Sequence, residues 1–350
     1  MQTREFGNLP SGESVELYTL HGGAGASLDV ITYGGIVKAL RVPDRHGDLA
    51  DVVLGFDDLE SYLAPHPFFG AITGRVAGRI PGARFTVEGK DYDLVQNDGP
   101  NHLHGGLRGL DKRIWKAEPL ERADGADSLR LTYISPDGEE GYPGTVHISV
   151  VYTFQPDNVF VIESEVTTDR LTPISLTNHS YFNLAGEGSG EIFDHELTVY
   201  AERAFLVDDL LTPLGRTAPI AGTAADFSSP RRLGDAIPEL FARHGDCYQL
   251  PGGGTLRRAA RLTHPASGRT LTVSTNEHCL QVYTSAYLAM TNPGKNGHHY
   301  QPYAGLCLEC EGYPAGVDFP EFGSILVNPG VPQRRVTLYA FYTSNPATKP

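Results

Sequence analysis

From one end of the sequence to the other, short runs of β-branched and aromatic residues are closed by Gly, Pro, Asn or Asp before a helix of ordinary length could complete. Residues 146–154, 159–167, 270–275, 280–286 and 336–342 are such runs and predict strands. Within 129–133, Leu129, Leu131 and Tyr133 alternate with Arg130 and Thr132, the two-residue period of a strand with one buried face. Long helical periods between the strands, which a parallel sheet would require, are missing, so antiparallel pairing follows. The best helical segment is 57–63, where Asp57 is expected to cap the amide of Glu60 over about two turns. The expected fold is all-β: one large antiparallel β-sandwich with a few short helices. No shift of composition marks a linker, and Pro251-Gly-Gly-Gly254 reads as a connection between strands, so residues 1–350 are expected to form a single domain.

Charge narrows the partners. Twenty-eight Lys and Arg stand against 42 Asp and Glu, a net charge of −14, which repels nucleic acid and anionic lipid and leaves neutral small molecules as the better partners. No apolar stretch of signal-peptide or membrane-spanning length occurs, and four cysteines are too few and too clustered for a disulfide scaffold. A cytoplasmic protein without nucleic-acid or membrane partners is expected.

Several familiar chemistries lack their residues. The glycine clusters at 22–25 and 186–190 do not complete a dinucleotide fingerprint, and there is no phosphate loop, nucleophile elbow or zincin helix motif. Cys307-Leu-Glu-Cys310 has the spacing of half a zinc knuckle without a second ligand pair, so buried free thiols are the expectation, and His298-His299 falls in a polar loop stretch. Neither metal nor cofactor is expected.

Three segments carry more chemistry than packing demands. Asn97-Asp-Gly-Pro-Asn101-His-Leu-His104-Gly-Gly106 places two histidines on one side of an extended chain, ahead of glycines that admit close backbone approach; a structural turn would look the same. Asn178-His179-Ser-Tyr-Phe-Asn183 clusters amide, imidazole, hydroxyl and aromatic groups, which suit both the apolar face and the hydroxyl rim of a pyranose, although a His bonded to a nearby carbonyl is an equal alternative. Glu309 sits in an apolar run, where burial would raise its pKa and make it a general base near neutrality; a buried ion pair would give the same pattern.

Taken in order, these segments resemble the aldose 1-epimerase (galactose mutarotase) family along essentially the whole chain. The resemblance rests on Asp51-Val-Val-Leu-Gly-Phe56, Gly74-Arg-Val-Ala-Gly-Arg-Ile80, Pro100-Asn-His-Leu-His-Gly-Gly106, Ser135-Pro-Asp-Gly-Glu-Glu-Gly-Tyr-Pro-Gly144, Leu176-Thr-Asn-His-Ser-Tyr-Phe-Asn-Leu-Ala-Gly186 and Cys307-Leu-Glu309. It implies a single large β-sandwich and interconversion of aldohexose anomers without metal or cofactor. It further implies Glu309 as base, His179 as acid, and sugar contacts from Arg79, His104, Asp246 and Gln281. Three departures stand out: Asp246 lies in His244-Gly-Asp-Cys-Tyr248 instead of a G-x-D-H-N-F-like run, Gly78 replaces the usual Asn, and Cys310-Glu311 replaces Thr-Gln. The rival readings are a phosphosugar epimerase, which would need a basic clamp; a glycosidase, which would need two carboxylates across a bond; and a sugar-binding module without turnover, which would not need both proton groups.

Overall fold

The structure is a computed structural model that describes residues 1–240 and 245–344. Its largest sheet runs in the order Lys116–Leu120, Asp127–Ser135, Val146–Phe154, Val159–Thr168, Gln333–Thr343, Arg269–Thr275, Arg257–Thr263, Glu196–Val199 and Arg231–Arg232, with antiparallel neighbours throughout. A six-stranded antiparallel sheet orders Tyr181–Phe182, Leu306–Glu311, Cys279–Tyr283, Gly245–Gln249, Arg203–Val207 and Pro213–Pro219. Five N-terminal strands between Gln2 and Asp51 form a third sheet in chain order.

The expected strands form, with edges moved by local chemistry. Val146–Phe154 has the expected bounds, whereas the run expected over 280–286 ends at Tyr283. Ser285 adopts a left-handed φ of 54° and donates its hydroxyl to the Gly305 carbonyl, which turns the chain out of the sheet. Pro251–Gly254 links the six-stranded to the nine-stranded sheet, as a strand connection should.

The helix expected over 57–63 is shorter and starts later, at Leu59–Leu63. Its cap is Asp58, whose carboxylate accepts from Ser61 N at 2.8 Å, and Asp57 instead accepts from Asn296 N. A second helix, Leu233–Leu240, escapes the sequence pattern because Gly234 and Pro238 weaken its helical reading, yet Leu233 and Ala236, three residues apart, are fully buried.

One continuous apolar cluster fills the space between the two larger sheets. Leu129, Leu131, Tyr152, Phe160, Val273 and Tyr339 from one sheet join Leu280, Val282, Leu306 and Leu308 from the other. Each such fully buried large side chain contributes about 1.5–3 kcal/mol. Tyr339 also donates its hydroxyl to the Leu308 carbonyl at 3.0 Å, pinning the strand that carries the site to the opposite sheet.

Candidate active site

Alternation decides what the Leu306–Glu311 strand offers. Leu306, Leu308 and Cys310 belong to the core between the sheets, so Cys307, Glu309 and Glu311 point the other way. Both glutamates line a cavity of ≈ 530 Å³, yet each is only 2% exposed.

His179 reaches the same cavity from the segment between Thr177–Asn178 and Tyr181–Phe182. Its backbone is held on both sides, N–H to the Ala71 carbonyl and carbonyl to the Gly70 N–H, each at 2.9 Å. The ring stacks with Tyr181 and Phe68, meets His104 at 77°, and brings Nε2 within 3.5 Å of Glu309 Oε2. Its Nδ1 lies 3.7 Å from the Cys307 sulfur. The neighbouring polar groups do not join it, contrary to the expected sugar-gripping cluster. Asn178 donates to the Gly70 carbonyl, Ser180 donates to Asn178, and Asn183 donates to the Gly190 and Ala304 carbonyls. Backbone carbonyls claim the two asparagines and Asn178 claims Ser180, and only His179 and Tyr181 of the segment line the cavity.

His104 and Arg79 come from two adjacent loops zipped together by the His102–Leu103 and Arg79–Ile80 pair. His104 N donates to the Gly78 carbonyl while Gly78 N donates to His104 Nδ1, both at 3.1 Å. The left-handed turn at His104, φ 51°, separates it from His102, so the two do not share a side. His102 faces away and bonds the Val95 carbonyl at 2.8 Å. Gly105 explains the following glycine: a Cβ there would sit 1.7 Å from the Gly74 carbonyl oxygen. Arg79 lines the cavity with its Nε bonded to Asp98 at 2.6 Å.

Gln281 lies directly across the sheet from Glu309, and Cys247 directly across from Gln281. Asp246 also lines the cavity, but it pairs with Val282, a core residue, and is thus one position out of phase with the Cys247, Gln281 and Glu309 row. All six residues expected at the site therefore border one cavity, with Asp246 in a different strand register from the rest of its sheet row. Sequence reasoning missed Phe68 as a cavity wall; Tyr181 came from the singled-out aromatic and amide segment, and Glu311, noted only as a departure from the family pattern, could have been placed by its parity with Glu309.

Burial governs the proton affinities. It pushes Glu309 up to about 8, with the Arg79 charge opposing, and holds His179 down to about 4. It also lifts Glu311 well above the carboxylate range, helped by the nearby Glu309 charge, and holds His104 well below the imidazole range. Around neutral pH the facing pair thus carries one proton between Glu309 and His179.

His104, His179 and Glu309 each offer one ligand atom, all within 4.8 Å of one another, which raises the question of a metal. The hydrogen bonding does not fit one. His104 Nδ1 accepts from Gly78 N–H, so the neutral ring keeps its proton on Nε2, whereas a ligating imidazole has one bare nitrogen and donates from the other. A second, larger cleft of ≈ 720 Å³ lies by Tyr200, Gln249, His278 and Phe322, and among the described residues no carboxyl and imidazole pair across it as His179 and Glu309 do.

An imidazole and a carboxyl facing each other in a buried pocket of an all-β sandwich define an acid/base site able to move protons on a bound small molecule. The comparisons sharpen that class. The aldose 1-epimerase family model matches residues 16–340, and the chain belongs to that family. The galactose mutarotases of Bos taurus and Homo sapiens are each 42% identical over 340 residues, covering 96% of this chain and 97% of theirs. The aldose 1-epimerase of Escherichia coli is 31% identical over 340 residues, covering 95% of this chain and 96% of its own. The solved aldose epimerase homologue from C. elegans superposes with a TM-score of 0.86 at 28% identity, covering 94% of this chain and 99% of its own. The galactose 1-epimerase of Lactobacillus acidophilus gives 0.84 at 26% identity, covering 99% and 100%.

Proposed function

We propose that the protein interconverts the α and β anomers of unphosphorylated aldohexoses, with Glu309 as base, His179 as acid and no metal or cofactor. The observation that carries this reading is the buried 3.5 Å approach of His179 Nε2 to Glu309 Oε2. In a pyranose the anomeric hydroxyl oxygen and the ring oxygen are both bonded to C1. Two groups that must address both oxygens at once therefore have to lie close together.

Glu309 takes the proton of the anomeric hydroxyl while His179 delivers one to the ring oxygen; the bond from C1 to the ring oxygen breaks and an open-chain aldehyde results. Rotation about C1–C2 presents the other carbonyl face, and the same protons return in reverse as the ring closes. The facing pair holds one proton at rest, and shifting it from Glu309 to His179 yields carboxylate and imidazolium with no net change. Arg79, His104, Gln281 and Asp246 orient the hydroxyl rim, which supplies positioning.

The preference for unphosphorylated sugar is supported by the charge of the walls. Asp98, Asp209 and Asp246 border the cavity, and Arg79, already bonded to Asp98, is the one cation bordering it among the described residues. Such a wall repels a phosphate. We read the chain as one domain, since the apolar cluster between the sheets draws on residues from Tyr18 to Phe341. Cytoplasmic placement is supported by four cysteines that are all free thiols. No helix among the described residues is long and apolar enough to cross a membrane.

The test is polarimetry on freshly dissolved α-galactose and α-glucose, with the 6-phosphates alongside. The expected result is an approach to anomeric equilibrium whose rate above the water background rises in proportion to protein, faster for the free sugars. A rate equal to background for every aldose would refute the reading.

A further inference from the structure

Glu311 has no place in the chemistry above, yet it is built into the same wall. It shares the cavity face of its strand with Glu309, roughly 6.6 Å further along, and like Glu309 it is 2% exposed. Its Oε2 is buried and without a hydrogen-bond partner among the described residues. Opposite it the cavity wall is Gly78, with φ 76°, where a Cβ would come within 3.3 Å of Glu311 Oε1 and 2.3 Å of the Pro314 ring. The glycine therefore keeps free, beside the carboxyl, the space that a side chain at position 78 would fill.

A buried polar atom without a partner costs stability, and one that lines a substrate cavity has an obvious partner in the substrate. We propose that Glu311 is a specificity-determining residue that hydrogen-bonds one non-anomeric hydroxyl of the aldose, over the space kept open by Gly78. This rests on the aldose 1-epimerase reading and names a contact within it. Burial fixes its form first, and the groups facing it add to the effect. Glu309 on the same strand and Cys247 and Glu277 nearby also disfavour a charge on Glu311, Cys279 is paired with it across the sheet, and Arg79 opposes them. The group is therefore an un-ionised carboxyl with one O–H to donate and one carbonyl oxygen to accept. A sugar hydroxyl, which both donates and accepts, matches it. A carboxylate or phosphate substituent does not.

The experiment is a cycle between protein and sugar. kcat/KM is measured for wild type, Glu311→Gln and Glu311→Ala on galactose, glucose and their monodeoxy derivatives. In the wild type, one deoxy position should lose roughly three- to tenfold beyond the others, the range of a single neutral hydrogen bond. That excess should vanish in Glu311→Ala and largely persist in Glu311→Gln, which keeps the shape and a hydrogen-bonding end. A general packing defect would lower all sugars together and leave the deoxy penalties unchanged. Penalties that are the same in all three proteins would overturn the assignment of Glu311 while leaving the epimerase reading intact. A wild type inactive on every aldose would overturn both.

Discussion

Replacing Glu309 with Gln separates an epimerase from a protein that merely holds sugar. The substitution keeps side-chain volume in a wall position that is 2% exposed, so the cavity keeps its shape while the proton acceptor is lost. Positioned general acid or base groups contribute about 10²–10⁴ in rate, which corresponds to about 3–5 kcal/mol of barrier. The structure argues for the full effect. The nearest alternative carboxyl on that face, Glu311, lies roughly 6.6 Å along the strand and cannot reach the proton that Glu309 takes. Cys307, on the other side, is a thiol whose burial raises its pKa well above the usual range, so it is no substitute base.

The loss should fall on kcat, because the proposed hydroxyl contacts of Arg79, His104, Gln281 and Asp246, which line the cavity, are untouched, and KM should change by no more than a few-fold where it tracks affinity. The assay is polarimetric decay of α-galactose at several sugar concentrations, with the water rate measured in the same buffer and subtracted. That subtraction is essential because spontaneous mutarotation would otherwise mask a dead variant. Circular dichroism and a melting curve establish that the variant is folded. A folded Glu309→Gln protein with wild-type kcat above background would refute the assignment of the base.

Four further outcomes follow from the same geometry. His179→Asn should lower kcat by about two or more orders of magnitude, and the wild-type kcat/KM profile should be a bell, because the active pair carries one proton: activity is lost in acid as His179 and Glu309 both become protonated, and in alkali as the shared proton leaves. A profile flat across both limbs would contradict this. Activity should survive exhaustive chelation, since Gly78 N–H occupies His104 Nδ1 and leaves the ring a donor; loss restored by zinc would show that a metal is used after all. Glu311→Gln should melt above wild type by a margin that widens as pH rises: the native Glu311 holds its proton above the ordinary carboxylate range, so the native state binds more protons than the unfolded chain and wild-type stability falls with pH. A margin independent of pH between about 5 and 8 would count against a buried un-ionised Glu311.

Strand parity and residue order were legible in the sequence; hydrogen-bond partners were not. Glu309 could be singled out because a carboxylate in an apolar run is costly wherever the strand lies, and alternation then assigns its face. The resemblance supplied the order in which His104, His179 and Glu309 occur, and folding brings them within 4.8 Å through pairings distant in sequence. The expectations that failed share one cause. His102 and His104 part because a single left-handed residue turns the backbone, Asn178 and Ser180 leave the cavity because carbonyls and each other claim them, and Asp58 displaces Asp57 at a cap because Asn296, far along the chain, binds the latter. A side chain's type sets what it can bond, and its neighbours in space decide which bond it makes. Asp246 and Glu311 follow the same logic in opposite directions. Both are carboxyls on site strands, but register sets Asp246 out of phase with the row that holds Gln281 and Glu309, while parity puts Glu311 on the cavity face beside an open glycine. The sharper contribution to sugar selection is therefore expected from Glu311, and the deoxy-sugar cycle carried out in parallel on Asp246→Asn ranks the two.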